Sequence, residues 1–224
     1  MTNSPQFQRP SFNIRGRKSP LALTIGILVI LGGIFTAASG FYADWLWFKS
    51  VNYTKTWSTI LGTKAILFVI TGLITALLVM FNVLLAYKRR PLYVPISVEA
   101  DNLERYRAQV EPIRRGLFIG GFIALFYFAG TSGSTMWRSW LLFKNSTEFG
   151  VKDPQFNMDI SFFAFRLPFW QTLIGWAIST LVLSIIGSLV VHYLYGGIRL
   201  QVREDRTTVA ARVQLSVLLG LVVL

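Results

Sequence analysis

Long apolar runs alternate with short polar segments along this chain, and the pattern predicts a bundle of transmembrane helices. A helix that crosses a hydrocarbon core of about 30 Å needs roughly 20 apolar residues at 1.5 Å each. Four runs meet this length, and they predict spans over residues 21–48, 60–87, 117–140 and 169–195. A further apolar run over 213–224 is too short to cross and predicts the start of a fifth span. We therefore expect an all-α polytopic fold, and the short last run predicts a piece of a longer protein.

The segments between the spans predict which way the bundle faces. Residues 1–20 predict a basic tail, 88–116 a cytoplasmic loop and 141–168 an extracytoplasmic loop. Basic residues concentrate in the tail, in 88–116 and in 196–212, which marks that side as cytoplasmic. Tryptophan favours the interface, and six tryptophans fall near the opposite ends of the spans: Trp45, Trp47, Trp57, Trp137, Trp140 and Trp170. Both patterns predict a cytoplasmic N-terminus.

One stretch of the cytoplasmic loop has helical periodicity of its own. Between 101 and 115, apolar residues recur at helical spacing while the charged residues face elsewhere. Two interpretations remain open. The segment forms either an interfacial amphipathic helix on the inner leaflet or a helix docked on another part of the protein.

Composition supports a membrane protein and limits its partners. The chain is 53% hydrophobic and only 14% charged, well away from the averages of soluble domains. Its net charge of +12 does not indicate a nucleic-acid partner, because the basic residues fall between apolar spans instead of on one folded face. We expect the lipid bilayer as the main partner, with Arg15, Arg17 and Lys18 of the tail contacting anionic lipids. Membrane or envelope proteins are further candidate partners.

The residues needed for the common catalytic and metal sites are scarce. The chain has no cysteine and a single histidine, His192, so the sequence predicts no metal site and no cofactor. It contains no Gly-rich phosphate loop with its lysine, no HExxH and no serine elbow. We therefore predict no catalytic residue in this region, and enzymatic activity of a longer protein is left open.

Ionisable side chains close to the spans are candidates for function, because a charge in lipid is costly. Lys64 lies about one turn into the second span and Asp44 lies just beyond the core of the first. The two side chains predict a structural ion pair, a proton or ion relay, or two unpaired interfacial groups. His192, at the inner end of the fourth span, is predicted to be an interfacial histidine.

Polar and small residues inside the spans predict contacts between helices. Asn82 and several hydroxyls suit hydrogen bonds between helices, and Gly116 and Gly120 have the GxxxG spacing of a close helix contact. The hydroxyls are those of Thr71, Thr75, Ser179, Thr180, Ser184 and Ser188. A polar run over 130–135 interrupts the third span and predicts a bent or water-facing outer half.

The outer loop contains the remaining candidate residues. Asp153-Pro154 favours a turn, Asp159 is placed to cap a short helix over 160–165, and Pro168 suits the first turn of the fourth helix. Asp153, Asp159 and Arg166, with nearby phenylalanines, predict either a structural cover over the outer ends of the spans or a lip that binds a substrate or a lipid.

This loop also has a family resemblance. The segment LLFKNSTEFGVKDPQFNMDISFFAFRLPFW, 141–170, resembles the region before the fourth span in the bacterial membrane proteins called uncharacterised protein family 0182. The segment FYADWLWFKSVNYTKTWSTILGTKAILF, 41–68, is similar to that family in its aromatic loop after the first span. The resemblance implies a protein several times longer, with further membrane helices and a large extracytoplasmic part. It implies no biochemical activity, since the family is named for lacking one.

Two functions of different classes follow from the sequence. The first is a membrane anchor or scaffold for a large extracytoplasmic domain and its envelope partners. The second is a transporter, channel or lipid-translocating protein, which the polar run in the third span favours. A water-lined cavity beside Ser132 and Ser134 favours transport, and a dry, fully packed bundle favours the scaffold.

Overall fold

The computed structural model describes residues 20–91, 98–199 and 206–224, and this part of the chain is almost entirely helical. Its six α-helices are α1 (Pro20–Ser50), α2 (Thr54–Lys88), α3 (Val98–Ser134), α4 (Trp137–Lys144), α5 (Leu167–Leu194) and α6 (Val209–Val223). A π-helical turn, Phe162–Arg166, runs directly into α5. Residues 1–19 of the predicted tail, with Arg15, Arg17 and Lys18, lie outside the described residues.

The chain divides into two compact units, Met1–Trp57 and Ser58–Leu224. In the first unit, α1 has an apolar surface on all sides up to its C-terminal end, where the ammonium group of Lys49 lies 4.9 Å from the ring centroid of Trp45. The chain then reverses at Asn52, whose φ of 60° is left-handed, and the ring of Trp57 contacts Phe41 edge-on at 5.0 Å. Asparagine tolerates this conformation better than most residues, which explains the turn between α1 and α2.

In the second unit, α2 and α3 approach each other through glycine. A Cβ atom on Gly72 would lie 2.6 Å from the carbonyl oxygen of Phe126, and one on Gly130 would lie 2.8 Å from that of Phe68. Only residues without side chains permit such a close approach of two backbones. The predicted contact at Gly116 and Gly120 is wrong, since a Cβ atom at either position would have no described neighbour within 4 Å. The contact forms instead where the partner helix also presents a glycine.

The third span differs from the predicted 117–140 at both ends. Helix α3 begins at Val98, contains Pro112, and is continuous with the predicted amphipathic segment, so no separate interfacial helix forms. It ends at Ser134, and a turn separates it from α4. The hydroxyls of Thr131, Ser134 and Thr135 donate to carbonyl oxygens three residues earlier, at 2.6–2.8 Å. These bonds compete with the helical ladder and account for the interruption that the polar run predicted.

The end of α5 and the start of α6 are fixed by backbone hydrogen bonds. Gly196 has a φ of 73°, and the amide of Gly197 donates to the carbonyl oxygen of His192 at 2.6 Å, which ends α5 in a left-handed cap. An antiparallel bridge joins Ile198 to Thr207. The hydroxyl of Thr208 then caps α6 by accepting from the amide of Ala211 at 3.3 Å.

Small and polar side chains fill the interior, while large apolar side chains face outward. Phe128 and Val190, for example, are 70% and 60% exposed, whereas Ser188 and His192 are almost completely buried. Helices α1, α2, α3 and α5 are each long and apolar enough to cross a membrane, and α6 is a shorter apolar helix. The predicted all-α fold is confirmed, with four helices that could cross a membrane.

Candidate functional site

Asp153 organises the tip of the outer loop. Its carboxylate accepts from the backbone amides of Gln155 and Phe156 at 3.0 and 2.8 Å, which closes the predicted turn around Pro154. The turn continues through Asn157, whose φ of 54° is left-handed. The Asp153 carboxylate is thereby occupied by the loop's own backbone.

Asp159 anchors the other side of the same loop. Its two carboxylate oxygens accept from the amides of Phe149, Gly150 and Ser161 at 3.2, 2.9 and 2.8 Å. Hydrogen bonds from the side chain and backbone of Ser161, followed by those from Phe149 and Gly150, lower the pKa of Asp159 to about 2. The predicted helix cap is present, and the helix that it caps begins at Ile160 and becomes π-helical over Phe162–Arg166.

Arg166 is the third charged residue predicted here, and the structure places it with different partners. Its Nε donates to the hydroxyl of Ser146 at 3.3 Å. Among the described residues no ion pair joins Arg166 to Asp153 or Asp159, so the three charges do not converge on one point. The phenylalanines pack on each other, with Phe149 against Phe165 at a centroid distance of 5.4 Å. The binding lip stays a prediction, and the loop's own bonds favour a structural cover.

Asp44 and Lys64 lie in different compact units of the chain. Asp44 is exposed on α1. Lys64, on α2, places its ammonium group 5.3 Å from the ring centroid of Trp137. It also lines a polar cavity of about 420 Å³ with Ser134 and Arg138. The pairing of Asp44 with Lys64 stays a prediction.

A buried polar cluster between α2, α5 and α6 is the most connected group of side chains in the described interior. Gln214 is its centre, because its amide nitrogen donates to the carbonyl oxygen of Asn82 at 2.9 Å and to the hydroxyl of Ser188 at 3.1 Å. The carbonyl oxygen of Asn82 can only accept, which fixes the orientation of the Gln214 amide. The Gln214 side-chain oxygen therefore faces the Nε2 of His192 at 3.0 Å, and this assigns the proton of neutral His192 to Nε2.

A second group of bonds joins α2 to α5 nearer the middle of the helices. Trp176 donates from its indole nitrogen to the hydroxyl oxygen of Thr75 at 3.1 Å, and the Thr75 and Thr180 hydroxyls lie 3.2 Å apart. The Thr180 hydroxyl donates to the carbonyl oxygen of Trp176 at 3.0 Å, so Thr75 supplies the hydrogen between the two threonines. The three residues form a closed circuit in which each polar hydrogen is used.

Both groups border a largely apolar cavity of about 700 Å³ between α2, α5 and α6. Its lining residues with polar side-chain atoms are Asn82, Arg89, Trp176, Thr180, Ser184 and Gln214. Among the described residues no three metal-ligating acidic, histidine or cysteine side chains come together. The arrangement can hold helices together and border a lipid-sized space, and it offers no nucleophile with an adjacent base.

Sequence reasoning found part of this cluster and missed its centre. The hydrogen bond between Thr75 and Thr180 and the roles of Asn82 and Ser188 agree with the predicted contacts between helices. Ser179 instead donates to the carbonyl oxygen of Gly175 within its own helix. His192 was predicted to be interfacial, but it is buried against α6. Gln214 was overlooked, although an amide side chain within an apolar run is itself a signal for a helix contact.

Comparisons with known proteins agree on one family. The model of the uncharacterised protein family UPF0182 matches residues 21–224. A UPF0182 protein of Streptomyces coelicolor is 43% identical over 215 residues, which cover 96% of this chain and 21% of that protein. UPF0182 proteins of Thermobifida fusca and Salinispora arenicola are each 44% identical, over 93% and 96% of this chain and 20% and 22% of theirs. The chain therefore spans about a fifth of the length of these curated relatives. No solved structure matches it.

Proposed function

Since the chain belongs to the uncharacterised protein family UPF0182, we propose that its helices form a membrane scaffold that anchors a larger extracytoplasmic region and its envelope partners. The observation that carries this proposal is that polar side chains inside the apolar helices hydrogen-bond to polar side chains of neighbouring helices. Gln214, His192 and Ser188, and likewise Thr75, Thr180 and Trp176, bond to one another. Polar groups that bond to each other hold helices in place, and within this cluster the Nδ1 of His192 is the one buried side-chain nitrogen without a partner among the described residues.

The proposal includes a setting and an orientation. The protein would lie in a bacterial cell membrane with its N-terminus in the cytoplasm, because the basic residues of the sequence concentrate in 1–20, 88–116 and 196–212. The loop organised by Asp153 and Asp159 would then cover the outer ends of the helices. Its carboxylates are bound to its own backbone, which supports a rigid cover.

Because this chain contains no cysteine, single cysteines placed in it test the orientation in a full-length protein whose cysteines elsewhere have been replaced. Glu148→Cys and Gln109→Cys place a thiol at exposed positions on opposite sides of the proposed membrane. In intact cells expressing the full-length protein, a membrane-impermeant maleimide should label Glu148→Cys and should leave Gln109→Cys unlabelled until the cells are permeabilised. The reverse pattern would overturn the orientation.

Transport is the second candidate function, and one observation favours it. The polar cavity beside Ser134, bordered by Lys64 and Arg138, lies at the interruption between α3 and α4. Broken helices beside polar cavities occur in transporters. The predicted signature of transport included Ser132 as well, and Ser132 does not line this cavity.

Accessibility inside the bundle separates the two functions. Ser184 is 1% exposed and borders the larger cavity. A scaffold predicts that a small water-soluble thiosulfonate does not react with Ser184→Cys in folded protein, while the Glu148→Cys control reacts fully. Rapid reaction at Ser184→Cys would indicate a water-filled path through the helices and would replace the scaffold with the transporter.

A further inference from the structure

A pocket with two arginines and two glutamates lies where the ends of α2 and α5 meet the first turns of α3. It has a volume of about 480 Å³ and is bordered by Arg90, Arg107, Glu104, Glu111 and Tyr195, with Pro91 and Ala108. Helices α2 and α5 end at Lys88 and Leu194, so Arg90 and Tyr195 lie just past the apolar spans. This is the depth at which lipid headgroups meet a membrane protein.

Arg107 has a hydrogen-bonding group that the protein leaves unused. Its Nε donates to the carbonyl oxygen of Leu194 at 2.5 Å, which satisfies a free carbonyl at the end of α5. Its Nη2 is buried and has no hydrogen-bond partner among the described residues. A buried guanidinium nitrogen without an acceptor is costly, and a bound anion would satisfy it.

Arg90 is held in the same pocket by aromatic rings. Its guanidinium carbon lies 4.4 Å from the ring centroid of Tyr87 and 5.2 Å from that of Tyr195. The guanidinium carbon of Arg107 lies 5.8 Å from the ring centroid of Tyr195 as well. Both arginines are therefore positioned against Tyr195 before any ligand arrives.

The acidic residues of the pocket form no ion pair with these two arginines among the described residues, although Glu111 lies near enough to Arg90 for their charges to attract. Glu111 accepts from the hydroxyls of Tyr87 and Tyr195 at 3.0 Å each and forms an ion pair with Arg114 at 2.5 Å. Burial, together with the hydrogen bond to Glu111, raises the pKa of Tyr195 to about 12, so this hydroxyl stays a donor at neutral pH. Among the described residues no carboxylate lies within ion-pair distance of Arg90 or Arg107. Glu104 lies exposed at the rim.

We propose that Arg90 and Arg107 form a binding site for a phosphate group, supplied by the headgroup of an anionic phospholipid in the adjacent leaflet. Two guanidinium groups suit the several oxygens of a phosphate, and a bidentate contact would use the free Nη2. The site adds a specific lipid to the proposed scaffold. Only the name of the leaflet, the cytoplasmic one, depends on the orientation proposed above.

The experiment measures lipid binding to the full-length protein in neutral detergent. Short-chain phosphatidylglycerol, short-chain phosphatidylcholine and inorganic phosphate are titrated separately, and thermal stability is recorded at each concentration. We expect phosphatidylglycerol to stabilise the protein at concentrations at which the other two do not. Stabilisation by inorganic phosphate alone, with no response to phosphatidylglycerol, would overturn the lipid source.

Variants with opposite expected effects test the residues. Arg90→Gln should weaken phosphatidylglycerol binding about tenfold, because it removes a charged hydrogen-bond donor to the phosphate. Glu104→Gln removes the rim charge and should strengthen binding. Arg105→Gln, an exposed position on the same helix, is the matched control and should bind like the unchanged protein.

Arg107→Lys completes the set, because it keeps the charge but loses the planar fork. It should weaken binding, and because it also loses the Nε bond to the Leu194 carbonyl oxygen, its own thermal stability without lipid is the baseline for its titration. Equal binding by Arg90→Gln and Arg105→Gln would refute the site. Because cysteine labelling at Ser184 does not involve this pocket, failure here leaves the scaffold proposal to its own test.

Discussion

Replacing Gln214 with leucine should destabilise the bundle, because Gln214 joins three helices. The substitution removes its bonds to the Asn82 carbonyl oxygen, the Ser188 hydroxyl and the His192 ring. Hydrogen bonds between membrane helices contribute about 0.6 kcal/mol each, which gives about 2 kcal/mol for three. Loss of the acceptor also leaves the buried Nε2–H of His192 unpaired, which costs roughly 1–3 kcal/mol more. We expect a total loss of about 3–5 kcal/mol.

The assay is the free energy of unfolding of full-length protein in bicelles, measured for a double-mutant cycle. Gln214→Leu and His192→Leu are made singly and together. The double variant should lose less than the sum of the single losses, because with both groups removed no polar atom of the pair stays unsatisfied. Ser216→Leu, at an exposed position of α6, is the control and should change stability little. Equal stability of Gln214→Leu and Ser216→Leu would refute this account of the cluster.

Two further predictions concern the helix contact and the outer loop. Gly130→Ala should lower thermal stability, because its Cβ atom would lie 2.8 Å from a backbone oxygen of α2. Gly120→Ala is the control, since its Cβ atom meets no described neighbour and should leave stability equal or slightly higher. Circular-dichroism melting in detergent compares the two variants, and an equal loss in both would contradict the close approach of α2 and α3. Asp159 has a folded pKa of about 2 against an ordinary 3.8, so its contribution to loop stability is present above pH 3.8 and is lost as the pH falls towards 2. Asp159→Asn should therefore speed hydrogen exchange at Gly150 and Ser161 near neutral pH, and Glu148→Gln should not; unchanged exchange in Asp159→Asn would show that the carboxylate does not hold the loop.

The spans were predictable because apolar runs of this length have few other uses. A helix over 101–115 was predicted from its periodicity, but its continuity with the span was not, because hydropathy alone places the charged residues around Glu111 and the proline at 112 outside the span. A helix there is stabilised by contacts that hydropathy does not report, such as the bond from Arg107 to the end of α5.

The helix contacts were predictable in kind and less so in position. Thr75 and Thr180 were recognised as candidates because a hydroxyl in an apolar span needs an acceptor. The glycine pair that forms the contact could not be chosen from spacing alone. Gly72 and Gly130 lie on different helices, and their proximity depends on how α2 and α3 cross. The pocket of Arg90 and Arg107 could not be predicted for the same reason. Arg90 follows α2 and Arg107 lies within α3, so their proximity depends on how these helices pack.

The large apolar side chains on the outer surface make the bundle compatible with lipid, whereas different residues in the interior hold the helices together. Leu77, Phe128 and Val190 are all more than half exposed, whereas the bonds between helices come from Thr75, Gln214 and their partners. The exposed apolar residues can therefore be replaced by charged residues while the interior residues are kept. A water-soluble analogue designed in this way would allow the fold to be studied without detergent.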